Sequence, residues 1–127
     1  MLEKVRAVDD LVHFENAPLT VESTPIDPAT IVKGEALTER THVLYADDQN
    51  ELTVGVWESD AGAWFIETAE DEYIRVLDGE IRLTDENGQS RDYGPGDSFF
   101  VPRKFKGTWE SCSPVRKIFI SLLRRSD

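Results

Sequence analysis

The chain has one cysteine and two histidines in 127 residues, and each shortage excludes some chemistry. A single thiol, Cys112, closes no internal disulfide. The fold must hold by packing and hydrogen bonding, and a reducing cytoplasm is the expected compartment. Two imidazoles, His13 and His42, are too few for a histidine-rich metal centre. No run approaches the roughly 18–20 apolar residues of a membrane-spanning helix. The opening MLEKVRAVDD has charges where a secretory leader needs an apolar stretch, so no leader is expected. Basic charge is also scarce: 14 Lys and Arg against 25 Asp and Glu leave a formal −11. A field of that sign repels nucleic acid and anionic membrane, so neither is an expected partner. The same charge serves solubility.

What is present is a succession of short strands. A length of 127 residues suits one domain with one core. Residues 1–30 read as an N-terminal arm and lead-in. Val5, Val8, Leu11 and Val12 form a weak apolar pattern expected to pack on the domain, and Pro18, Pro25 and Pro28 punctuate an extended stretch. Residues 31–127 read as a barrel. THVLYA (41–46) and LTVGVWE (52–58) form a hairpin around Asp47–Asn50, and AWFIET follows after the Ser59–Gly62 turn. EYIRVLDGEIRLTD is nearly continuous strand broken at Asp78-Gly79. Asn87-Gly88 predicts a type I′ turn. Gly94–Asp97 turns the chain into SFFVP, and VRKIFISLL (115–123) alternates as a last strand. Strands at regular spacing without a long helix define an all-β, antiparallel sandwich or barrel.

Two stretches carry a resemblance. EYIRVLDGEIRL sets Glu72 seven residues before Gly79, and GDSFFVP sets Gly96 six before Pro102. Both spacings resemble the paired signature motifs of the cupin superfamily. With GVWESDAGAW, YGPGDSFFVPRKFKGTWE and PVRKIFI, the chain over about residues 25–123 resembles one small single-domain cupin subfamily. That subfamily includes relatives of ureidoglycine aminohydrolase and of an ethanolamine-utilisation cupin. The resemblance implies a double-stranded β-helix, the jelly-roll barrel, and a homodimer joined sheet to sheet or by exchanged N-terminal strands.

The resemblance also implies where metal ligands would stand. Cupins that bind a metal carry two His separated by one residue ahead of the Glu, and another after the second-motif proline. Glu72 is present. The paired positions fall at about Phe65–Thr68, where only Glu67 could ligate, and the last falls at Gly107. No cofactor is therefore expected. Two departures from that expectation are an oxygen-only site from Glu67, Glu70 and Glu72, and His42 facing inward beside Glu72. His13 lies ahead of the barrel.

The interior instead offers aromatic groups. Trp57, Trp64, Phe100 and Trp109 are candidate walls for a small-molecule ligand, by stacking or by attraction of a cation to a ring face, or else core and interface filling. Glu72 is a candidate ligand contact or general acid/base. A structural ion pair is its alternative, with Lys104, Lys106 or Lys117 as partner and Lys117 first among them. Arg75, out of phase on the same strand, points away. Cys112 has no activating base in any motif and is read as a bystander. Three functions remain open: a metal-free binding domain, an enzyme using Glu72, and a dimerisation module whose barrel is filled by its own side chains.

Overall fold

The computed structural model describes residues 5–18 and 21–123. Within them the chain forms two antiparallel sheets facing each other. In the six-stranded sheet the order is β1 (Thr24–Pro25), β3 (Thr38–Asp47), β4 (Leu52–Ser59), β11 (Val115–Leu122), β6 (Asp71–Asp78) and β9 (Ser98–Val101). In the five-stranded sheet it is β2 (Ile31–Lys33), β5 (Gly62–Glu67), β10 (Lys106–Ser111), β7 (Ile81–Asp85) and β8 (Ser90–Tyr93). The only helical turns among the described residues are short 3-10 turns. This is the all-β jelly roll that the sequence leads one to expect.

Period-two alternation decides what faces the core. On β11, Val115, Lys117, Phe119 and Ser121 are buried, while the intervening residues are more exposed. The inward residues join Ile74, Val76, Ile81, Leu83, Val101, Trp64 and Trp109 between the sheets. Two features tie the layers together. Ser59 of β4 and Ser111 of β10, both fully buried, share a hydrogen bond of 2.7 Å from one sheet to the other. At the open edge, where β8 and β9 do not pair, Tyr93 stacks on Phe99 with ring centroids 3.7 Å apart. That stack bridges the two sheets at this edge with two flat apolar rings.

Three local readings are corrected. Asn87 does not take the positive φ that a type I′ turn requires; only Gly88 does, at +82°. The Asp85 carboxylate accepts from the amides of Asn87 and Gln89, and this capture favours a longer turn with a single left-handed residue. The arm does not pack its apolar pattern on the barrel: Val5, Val8 and Leu11 stay exposed, Val8 at 78%. The barrel also begins before residue 31, because β1 pairs with β3 and Ile26 is in the core. The predicted break at Gly79 has a larger role than a kink. Its φ of +87° carries the chain from β6 in one sheet to β7 in the other.

Because the Tyr93–Phe99 stack joins the two sheets at this edge, Phe99→Ala is expected to lower stability by about 2–3 kcal/mol. The exposed Phe65→Ala should cost well under ~1 kcal/mol. Urea denaturation of the two variants checks this, and equal losses would refute it.

Candidate functional site

The barrel mouth encloses a cavity of about 500 Å³. Three tryptophans from three strands form its wall: Trp57 on β4, Trp64 on β5 and Trp109 on β10. Trp57 lies 6.2 Å from Trp64 and 5.5 Å from Trp109, centroid to centroid, the second contact edge-on at 80°. Two of the indoles are anchored by their N–H groups. Trp57 Nε1 donates to Glu39 Oε1 at 2.9 Å, and Trp109 Nε1 donates to Ser111 Oγ at 2.9 Å. The second bond extends the serine link between the sheets, so the Trp109 ring is fixed by the same atoms that join the layers.

Lys117 is the charge around which this wall is arranged. It is only 6% exposed, and its Nζ lies 4.7 Å from the ring centroids of both Trp57 and Trp109. Nζ donates to Glu72 Oε2 at 2.5 Å. Glu72 sits opposite Ser121, four residues along β11 from Lys117, so the two side chains run along the barrel to meet. A buried ammonium needs compensation, and here a carboxylate and two ring faces supply it. Lys117 is therefore the partner of Glu72, and Arg75 points to the opposite face, beside Ile118 and Ser98.

The other sequence candidates divide by strand parity. Glu67 and Glu70 line the cavity mouth, and Glu67 has Lys106 Nζ at 3.8 Å. Phe100 does not join the wall. It lies outward on β9 and is 55% exposed, because Phe99 and Val101 take the inward phase. His42 is also on the outer face, in line with Val56 and Ile118 rather than with Glu72. It is 3% exposed, its Nε2 is 3.0 Å from Glu58 Oε1, and its Nδ1 is buried without a partner among the described residues. Arg116 Nη1 donates to the other Glu58 oxygen at 2.8 Å. Burial opposes ionisation of Glu58, yet the bonds from His42 and Arg116 hold its carboxyl below the usual range. His13 lies in the exposed arm.

A metal does not fit these residues. Among the described residues no group of three His, Cys, Asp or Glu side chains could hold one. His42 faces away, Glu72 is held by Lys117, and Gly107 contributes no side chain. A Cβ at Gly107 would lie 2.0 Å from the backbone oxygen of Thr84. Cys112 is exposed, and partial burial followed by the charge of Glu110 pushes its thiol above the ordinary value, which suits a bystander. Glu39, Thr41, Thr53 and Ser121 also line the cavity. They are small or charged strand residues that only the register across β3, β4 and β11 brings there. A bulge between Val43 and Tyr45 hides that register from simple alternation.

The double-sheet jelly roll with its motif glutamate inside defines a cupin. A family model described as the EutQ-like cupin domain matches residues 47–119, and the chain belongs to that family. No curated protein sequence matches the chain. Among solved structures, a Pseudomonas syringae protein of unknown function from the DUF861 family is 26% identical, with a TM-score of 0.73. The match covers 81% of this chain but 45% of that one, so this chain spans less than half of that protein's length. The EutQ protein of Clostridium difficile shares the fold at 17% identity and a TM-score of 0.66, covering 83% and 76%. An ethanolamine utilization protein of Salmonella typhimurium does so at 20% and 0.59, covering 70% and 71%.

The Lys117–Glu72 pair is testable by a double-mutant cycle. Glu72→Gln strands the buried ammonium and is expected to cost about 2 kcal/mol. Adding Lys117→Met should recover part of that loss, since replacing both partners removes the stranded charge. Additive losses in thermal and urea denaturation would show that the pair contributes no coupling.

Proposed function

We propose that this domain binds a small organic molecule at the mouth of its barrel without help from a metal, as an accessory or regulatory cupin. One observation carries the reading: a cavity of about 500 Å³ walled by Trp57, Trp64 and Trp109, with the Lys117–Glu72 pair in its buried part. That volume lies in the range of small-molecule sites, as does an apolar wall with few polar groups. An open cavity favours binding over a barrel filled by its own side chains. The enzyme reading draws less support, because Glu72 would have to leave Lys117 to act as a general acid or base. The net charge of −11 supports partners other than nucleic acid or anionic membrane, and the free thiol of Cys112 suits the cytoplasm. No helix among the described residues is long and apolar enough to cross a membrane.

A metabolite library read by thermal shift tests the binding reading, because a ligand of the folded state raises its apparent stability. A shift of several degrees that Trp64→Ala abolishes is the expected result. A library without a single Trp64-dependent shift would overturn it. Turnover of a hit, lost in Glu72→Gln, would favour the enzyme.

A second reading concerns assembly. The outer face of the larger sheet carries a row of apolar side chains across four strands, Val54, Ile120, Tyr73 and Phe100, with Leu122 beside it. Four of these five are among the exposed large apolar residues. Such a row suits an isologous contact with a second copy of the chain. Light scattering is expected to give the mass of a dimer at micromolar concentration, and Phe100→Glu to give a monomer. A wild-type monomer would refute the pairing.

A further inference from the structure

The charge lining the cavity is lopsided, and this bears on what the cavity takes. Four carboxylates border it: Glu39, Glu67, Glu70 and Glu72. Lys117 is the one cation lining it among the described residues, and that charge is already matched by Glu72. Lys106 offsets Glu67 only weakly, at 3.8 Å with both side chains largely in water. The buried part of the cavity is thus close to neutral, and its mouth is negative. The whole chain, at −11, adds a field of the same sign. A concave, low-dielectric site focuses such a field and raises the local concentration of cations while it turns anions away.

The spacing of these carboxylates selects among cations. They do not converge into a group that could hold a metal ion. They are distributed around a space of about 500 Å³ whose wall is indole. A bare ion would meet too few oxygens at coordinating distance. An organic cation fits better: its body covers ring surface while its charged end stays at the acidic mouth. Nζ of Lys117 lies over Trp57 and Trp109, which shows these rings already serving a cation from inside the barrel. The buried Trp64 completes the wall on the neighbouring strand and has no such partner among the described contacts.

Resting on the binding reading above, we propose that the ligand class is an organic cation. It is an amine or guanidinium borne on a flat or apolar body, with the body against Trp57 and Trp64 and the charge toward Glu67 and Glu70.

Three probes of one skeleton test the sign of the charge: phenethylamine, 2-phenylethanol and phenylacetate, titrated calorimetrically into the full chain. Phenethylamine is expected to bind about tenfold more tightly than 2-phenylethanol, a difference of about 1.4 kcal/mol, with phenylacetate weakest. Raising salt from 50 to 500 mM should narrow that gap, since charges at the mouth are screened. Glu67→Gln/Glu70→Gln, both exposed positions, should erase the preference while leaving 2-phenylethanol unchanged. Equal affinities, or tightest binding of phenylacetate, overturn the proposal. If those affinities still depend on Trp64, the pocket reading stands and only the ligand class falls. Absence of binding by all three probes also overturns the ligand class, and the library screen then decides the pocket reading separately.

Discussion

An ammonium group inside a barrel has to be compensated, and much of the site follows from how Lys117 is. Desolvating one charge costs several kcal/mol unless opposite charge and polarisable surface replace the lost water. Glu72 supplies the charge, and the faces of Trp57 and Trp109 supply the surface. Each ring is then fixed in turn, Trp57 by Glu39 and Trp109 by Ser111. Ser111 meets Ser59 across the core, so a chain of hydrogen bonds runs from the cavity wall to the contact between the sheets. Side chains that look separable in sequence are therefore one connected unit, and such networks respond to deletion as a whole.

This arrangement also accounts for a cupin interior without histidine ligands. The motif glutamate still holds a cation, but the cation is covalently part of the chain. A lysine carries one fixed charge, exchanges with nothing and offers no open coordination position. The cavity beside it is walled by indole and bordered by carboxylates, the features on which the binding proposal rests. Fold kinship sets the scaffold, and the residues inside it decide what chemistry remains.

The sequence was most legible where periodicity and turn chemistry agree. The alternation of β11, the Gly94–Asp97 turn and the end of β9 at Pro102 could be read directly. Which phase of β11 faces inward could not, since Ile118, Ile120 and Leu122 lie on the less buried phase and Lys117 and Ser121 on the buried one. For the partner of Glu72, strand phase set aside Arg75, and the family resemblance of the PVRK stretch put Lys117 ahead of Lys104 and Lys106. Phe100 was misplaced because SFFVP has two adjacent aromatics, and composition does not reveal which takes the inward phase. The face of His42 was left open in the sequence, since one residue of shift reverses a side chain's face, and its register opposite Val56 turns it outward. Glu39 and the two serines were missed because their roles come from register between strands distant in the chain. The arm misled in another way: apolar spacing reports a capacity to pack, not a surface to pack against.

The tight passage at Gly107 limits what the barrel can carry on β10. There β10 runs so close to Thr84 of β7 that even one added carbon meets backbone. Placing any side chain there would require the two strands to separate. At this point the barrel's own backbone fills the room a side chain would need, so the position is closed to any residue larger than glycine while the two strands keep this spacing.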